Sequence, residues 1–453
     1  MSNQISHSHK PARRVLLVTL EPISDRMAGP AIRCLEIGKQ LSNEFEVTVF
    51  TPHPTDLAFP TQANQSIKLI GGVKKPEIER LVRQAEIVMI QANVLKPYPQ
   101  IAKLAEHLVV DLYDPYLFTI NVQYESDPVT ASSSFRMMHQ VLQEHMQQAD
   151  FSICASERQR DYWIGRFCAL GRIDPAMFHF DPSLRKLIDV VPFGLPAQSP
   201  KRNGISLREL IPEIAASDLL LLWGGGIWDW FDPLTVIRAV GELSGTISNI
   251  RLVFMGTKAP NPQVPLMEMT VRAQELAESL GLLNKHVFFL KDWVSYEKRA
   301  NFLLDADIAV SAHFDLPETR FSFRTRMLDY FWAHRPIITT LGDHLSDLVE
   351  ENQAGITIPY QDVESWKLAI AKLANDRGFR ETCQAGATKL AEQFSWPKVI
   401  EPLRQYCRTP HKLPPYKKVI KPSLLERAKA VYSRGGKELV IKRSSELFKD
   451  LLP

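Results

Sequence analysis

A chain of 453 residues that is 45% hydrophobic and 23% charged can bury two cores of ordinary size and is too long for one. Its formal net charge of +3 excludes the global positive excess of a nucleic-acid binder, so no nucleic-acid partner is expected. The five cysteines, Cys34, Cys154, Cys168, Cys383 and Cys407, form no CxxC pair and have no zinc-like spacing with histidine, which predicts a reduced, cytoplasmic protein with no bound metal.

The opening "MSNQISHSHKPARR" is polar and lacks the apolar segment of a secretory signal, so residues 1–12 are expected to be disordered. No apolar run approaches the roughly 18 residues that span a bilayer. From residue 13 strands alternate with helices. "RRVLLVTL" reads as a strand, "GPAIRCLEIGKQL" as a helix, then "FEVTVFTP", "AEIVMIQA", "HLVVDLYD" and "DFSICAS" as strands before the helix "ERQRDYWIGRF". "KLIDVVPFGLPAQSPKRNG" closes this half with a strand and a connector. The pattern restarts at "LLLLWGGG" and runs through the strands "IRLVFMG", "HVFFLKDW", "ADIAVSAHF", "RPIITT" and "AGITIPY". Such alternation predicts an α/β protein of two doubly wound, Rossmann-like domains, 13–200 and 201–395, facing a central cleft where strand ends converge.

Three stretches carry the candidate chemistry. In "LLLLWGGGIWDWFDP" the glycines Gly224, Gly225 and Gly226 fall in a strand-to-helix turn, with Asp232 as N-cap and Pro233 as first helical residue. Glycine lets backbone approach a ligand, although a tight turn without a ligand has the same composition. Trp228 and Trp230 offer an apolar wall for a ring-shaped ligand, or else interdomain packing, and Asp229 offers a carboxylate to a ligand hydroxyl. In "PETRFSFRTRMLDYFWAHRP" Arg320, Arg324 and Arg326 crowd the loop and helix start after a strand. Positive charge is unfavourable at a helix N-terminus unless an anion is bound. In "SDRMAGPAIR" Gly29 and Pro30 open a helix flanked by Arg26 and Arg33, which suits a phosphate or acceptor over the helix end, or a plain helix start. His313 follows a strand directly and reads first as structural.

The order of these segments resembles a GT-B glycosyltransferase of family four over about residues 13 to 410. The resemblance rests on "LLVTLEPISDRMAGPAIRCLEIGKQL", on "VVPFGLP" in place of the family's "vipnGvd", and on "VFFLKDWVSYEKRANFLLDADIAVSAH". It extends through "LDYFWAHRPIITTLGDHLSDLVEENQAGITIPYQDVESWKLAIAKL" to "FSWPKVIEPLRQYC". What it implies is metal-independent transfer of a sugar, with retention, from a nucleotide-diphosphate sugar to a hydroxyl of a saccharide or lipid-linked saccharide, without any other cofactor. The first domain would serve the acceptor and the second the donor, with residues 396–410 as a helix crossing back to the first domain.

Alignment on Pro336 places Asp329 at the second glutamate of the family's "EAMAxGxPVV" region, the carboxylate expected on the ribose. The first glutamate falls on Phe321, and Glu318 is the nearest replacement, expected to contact the donor sugar. The turn that normally carries Arg and Lys for the diphosphate reads "GGGIWDWFD", which assigns that charge to Arg324 and Arg326. The family's His-Asp pair aligns with Tyr113 and Asp114, counted with Glu318 as the catalytic group.

Residues 411–453 hold 11 Lys and Arg against 4 Asp and Glu, so the rest of the chain is slightly acidic. Interspersed leucines, valines and isoleucines predict a basic amphipathic tail, for an anionic membrane surface or for docking on the protein itself. The sequence thus reads as a cytoplasmic, peripheral transferase of surface polysaccharide or glycolipid assembly. A non-catalytic nucleotide-binding scaffold and a nucleotide-sugar epimerase are the alternatives. A dinucleotide dehydrogenase is disfavoured, since "VTLEPISDRMAG" has no G-x-G-x-x-G.

Overall fold

The computed structural model describes residues 12–25, 27–55, 67–72, 75–91, 93–125, 127–257, 266–416 and 424–449. The expected disorder of residues 1–12 falls almost wholly outside these.

The first half folds into a parallel seven-stranded sheet. Its strands are β1 (Arg14–Val18), β2 (Glu46–Thr51), β3 (Ile67–Gly71), β4 (Ile87–Gln91), β5 (His107–Asp111), β6 (Phe151–Cys154) and β7 (Ile188–Val190). They lie in the order β3-β2-β1-β4-β5-β6-β7. The second half forms a parallel six-stranded sheet from β8 (Leu219–Trp223), β9 (Ile250–Phe254), β10 (Val287–Phe289), β11 (Ile308–Ser311), β12 (Ile337–Thr340) and β13 (Gly355–Ile358). Its order is β10-β9-β8-β11-β12-β13. Both sheets are doubly wound, and their order reverses between β1 and β4 and between β8 and β11. Ligand crevices open beyond the carboxyl ends of strands at such reversals.

The strands form because their apolar runs can be buried on both faces: β8, Leu219 to Trp223, pairs with β9 and with β11, and Leu220 to Trp223 are fully buried. The helix Gly29–Leu41 coincides with the predicted segment, and Asp232 caps Pro233–Leu243 by accepting from the Thr235 amide at 3.1 Å. Strand β3 was not among the expected elements. It is an edge strand with no fully buried residue, and one lysine interrupts its five residues, so it lacks the apolar run that marked the others.

The interdomain "VVPFGLP" passes beneath Trp396, whose indole occupies the space a Cβ on Gly194 would need, so only glycine lets the chain through here. Helix Glu401–Arg408 then lies on the first domain. Tyr406 stacks on Phe151 with centroids 4.7 Å apart, and Arg408 pairs with Glu44 at 2.7 Å.

Residues 411–416, expected to begin the tail, instead continue this packing. Leu413 is buried, Lys412 pairs with Asp150 at 2.8 Å, and Arg172 donates to the Pro414 carbonyl at 2.8 Å. The tail proper is the helix Leu424–Lys449. Its described apolar residues are spread around the helix: Val431, Leu439 and Val440 are half-buried. Leu425 and Tyr432 are both exposed and one heptad apart, but exposed Ile441 lies about 160° around from Leu425 at 100° per residue. Gly436, within the helix, has φ +67.

Candidate active site in the interdomain cleft

A cavity of about 430 Å³ opens between the two sheets, lined from the first domain by Gly29, Tyr113, Asp114 and Tyr116, and from the second by the turn after β8 and the segment 318–329. The sequence-predicted residues Gly29, Tyr113, Asp114, Gly224, Gly225, Gly226, Trp228, Glu318, Arg324, Arg326 and Asp329 all line it.

The turn after β8 is pinned from behind. Gly224 donates its amide to the Tyr330 hydroxyl at 2.7 Å, and that hydroxyl donates to the Val310 carbonyl at 2.8 Å. A Cβ on Gly224 would stand 3.0 Å from the Tyr330 ring, and Gly225 has φ +78, a conformation that favours glycine. Trp228 and Trp230 stack nearly parallel, 1° apart with centroids at 5.4 Å, and both line the cavity. Asp229 does not. Its carboxylate accepts from the Met269 amide at 2.9 Å at the start of helix Glu268–Ser279, so its expected sugar contact is replaced by a helix-terminal role.

The arginines divide their labour differently from the expectation. Arg324 directs both Nη atoms at the Glu318 carboxylate, at 2.9 and 2.6 Å, and both residues are almost fully buried. The group assigned to the diphosphate and the group assigned to the sugar are thus paired with each other. Arg326 donates Nη2 to the Gly226 carbonyl at 2.6 Å, while its Nη1 is buried with no partner. Its guanidinium lies 4.0 Å from the Phe231 centroid and 4.8 Å from that of Trp223, and burial lowers its pKa to about 10. Asp329 receives Arg299 Nε on Oδ1 at 2.8 Å. Arg320 is exposed and outside the cavity.

On the acceptor side, Arg33 does not face the cleft. It is 0% exposed, with Nε and Nη2 on Asp111 at 2.7 and 3.0 Å and Nη2 also on the Val191 carbonyl at 2.8 Å. Its expected phosphate or acceptor contact is replaced by a brace between helix Gly29–Leu41, β5 and the residue after β7. Arg26 lies outside the described residues. Tyr113 crosses the cleft and donates to the Phe323 carbonyl at 3.1 Å. Burial, and then the nearby Glu318 charge, push the Asp114 pKa up to about 7 against the opposing pull of Arg324. His313 is buried, with Nε2 3.1 Å from the Leu341 carbonyl; burial and then Arg324 hold its pKa down at about 3, so it is a neutral structural group.

Phe321, at the place of the family's first glutamate, packs against the first domain, 5.6 Å from the Phe118 centroid and 5.1 Å from that of Tyr162. Gln159 ties the same contact by donating Nε2 to the carbonyls of Tyr113 and Phe321, each at 2.8 Å. A carboxylate at 321 would be driven into an aromatic cluster. Sequence reasoning missed Arg299, Gln159 and Tyr330. Arg299, in "YEKRANF" after β10, could have been found by the rule that drew attention to Arg324, a basic residue beyond a strand's carboxyl end. Among the described residues no group of three His, Cys, Asp or Glu is placed to hold a metal ion.

Two facing, doubly wound parallel domains with the cleft at both order reversals define the GT-B class of fold. Residues 220–376 match the family model described as Glycosyl transferases group 1. Sucrose-phosphate synthase from Thermosynechococcus elongatus superposes with a TM-score of 0.63 at 14% identity, covering 87% of this chain and 98% of that one. Anabaena Alr3699/HepE, solved with UDP and glucose, gives 0.61 at 15% identity over 88% of this chain and 99% of its own. WaaG, a glycosyltransferase involved in lipopolysaccharide biosynthesis, gives 0.57 at 15% identity over 87% and 100%. In sequence the chain is 25% identical over 200 residues to a D-inositol 3-phosphate glycosyltransferase of Nocardioides sp., covering 43% of this chain and 42% of that protein. It is 23% identical over 234 residues to the Saccharomonospora viridis protein of the same name, covering 49% and 51%. The alignments thus span about half the length of these curated relatives. The chain has the fold of the GT-B glycosyltransferases.

Proposed function

We propose that this protein is a glycosyltransferase that moves a sugar from a nucleotide-diphosphate sugar to a hydroxyl acceptor. The observation that carries the reading is the convergence, in one cleft, of the glycine turn after β8, the partnerless Nη1 of Arg326 and the Asp329 carboxylate. A departing nucleoside diphosphate gathers negative charge, and a fixed, water-poor guanidinium with spare donors lowers the energy of that charge more than solvent does. Asp329 keeps Oδ2 for ribose hydroxyls. Glu318, oriented by Arg324, faces the donor sugar, and Tyr113 and Asp114 border the acceptor side.

Transfer with retention, use of a hexosyl donor and independence from metal belong to this proposal and follow the resemblance to family four. Alr3699/HepE, solved with UDP and glucose and also with UDP-glucose, makes UDP-glucose the first donor to test. A saccharide or lipid-linked saccharide acceptor at the cytoplasmic face of a membrane accords with the basic helix Leu424–Lys449; among the described residues no helix is long and apolar enough to cross a membrane. The test is product analysis with a panel of UDP- and GDP-sugars, with and without saccharide acceptors. Acceptor-dependent release of nucleoside diphosphate and an acceptor heavier by one sugar support transfer. An altered nucleotide sugar formed without acceptor would establish an epimerase, and no turnover with tight nucleotide binding a scaffold.

A further inference from the structure

The geometry points to Arg299 as the positioning residue that aims Asp329 at the donor's ribose; this rests on the reading of the cleft as a nucleotide-sugar site. Aspartate has one rotatable bond fewer than the glutamate that the family resemblance places here, so a single external brace is enough to fix where its carboxylate stands over the cavity. Arg299 supplies that brace. It stands at the start of helix Arg299–Leu303, is 6% exposed, lines the cavity, and donates Nε to Asp329 Oδ1 at 2.8 Å.

The guanidinium is itself immobilised. Its carbon lies 3.5 Å from the Tyr296 centroid and 4.4 Å from that of Trp332, and Nη1 donates to the Tyr296 carbonyl at 2.6 Å. A planar fork sandwiched between two rings fixes the direction of its Nε–H bond, which a lysine ammonium would not do. The described residues offer no hydrogen-bond donor to Oδ2, and the Asp329 side chain keeps 30% of its exposure. The carboxylate is therefore held by one oxygen and presents the other, the arrangement that binds a hydroxyl without first losing side-chain freedom. Nη2 of Arg299 is buried and also without a partner, a further donor held at the same wall of the cleft.

The test compares binding of UDP with 2′-deoxy-UDP and 3′-deoxy-UDP, or the GDP series if the wild type prefers guanine, by calorimetry on the full chain. Wild type should favour the ribose form by roughly tenfold or more, the scale of a hydrogen bond to a charged group. Arg299→Met should erase most of this preference while sparing affinity for the better deoxy ligand. Arg299→Lys, which keeps the cation between the rings and loses the fork, should fall between and covers the case in which the methionine variant fails to fold. In an Asp329→Asn background Arg299→Met should cost no further preference, because the two act through one contact. A full wild-type preference in Arg299→Lys, or additive losses in the double variant, would overturn the positioning role. Equal binding of ribose and deoxyribose forms by wild type would instead remove the ribose reading of Asp329, and with it this role, while leaving diphosphate binding by Arg326 to stand on its own.

Discussion

Arg324 and Arg326 sit two residues apart, yet their removal should have different consequences. Arg326→Ala takes away the cleft's spare guanidinium donor and should weaken nucleoside diphosphate binding by about 1.5–3 kcal/mol, with little change for the nucleoside, read by calorimetry. Arg324→Ala leaves Glu318 buried without its counter-charge and should cost about 3–5 kcal/mol of stability, read by denaturant unfolding. Asp114 gives a pH signature. With its folded pKa near 7 and a free value near 4, the folded protein holds a proton that the unfolded chain has lost between these limits. Its contribution is therefore fully favourable below about pH 4 and is lost as pH rises to 7, at no more than about 1.4 kcal/mol per pH unit, with little further change above. Asp114→Asn should flatten this fall in unfolding measurements from pH 5 to 8. The residue types at the cleft were legible from the sequence. Their partners were not, because the Glu318–Arg324 pair and the burial of Arg33 on Asp111 depend on which side of each backbone faces solvent, and that is settled by contacts from distant segments.

The turn after β8 shows what sequence patterns resolve at the level of an element. An apolar run, three glycines and an Asp-Pro start specify strand, turn and helix by purely local chemistry, so all three were legible. The support behind the turn comes from Tyr330, about a hundred residues away, and carried no local signal. Tyr330→Phe removes the acceptor of the Gly224 amide and should cost about 1–3 kcal/mol of stability, the penalty for a buried donor left unpaired, and should weaken diphosphate binding in parallel. Strand β3 escaped notice because an edge strand need not bury both faces. Phe321 carries a sharper lesson. Family spacing suggests a lost glutamate, whereas the ring packs on Phe118 and Tyr162 across the domains. Phe321→Glu should therefore lower activity and stability, and any gain in turnover would show that the position still serves the sugar.

Across the whole molecule, closure is held by contacts that bridge the sheets, including Tyr113 to Phe323, Gln159 to Phe321 and Arg158 to Asp347. The doubly wound domains were legible because each rests on a repeated strand–helix pattern; their mutual orientation was not, since no local pattern encodes it. The helix Leu424–Lys449 is the other large-scale element, with seven Lys and Arg against three Glu. Each such cation near an anionic surface contributes about 1 kcal/mol. The full chain should float with anionic liposomes at low salt and be released by higher salt, while a chain ending at Tyr416, which keeps the packing of Leu413 and Lys412, should not. Equal behaviour of the two forms would make the helix a structural appendage.

Thermal unfolding of wild type, Arg326→Ala and Asp329→Asn with UDP, GDP, ADP and dTDP bears most directly on the cleft as a nucleotide-sugar site. At a ligand concentration about 100 times its Kd, binding adds about 2.7 kcal/mol, which for domains of this size raises Tm by several degrees. At least one nucleoside diphosphate should raise the wild-type Tm in this way, and both variants should lose about half of the shift or more. No shift with any of them, or one that both variants keep in full, would contradict a nucleotide-sugar transferase built on this cleft.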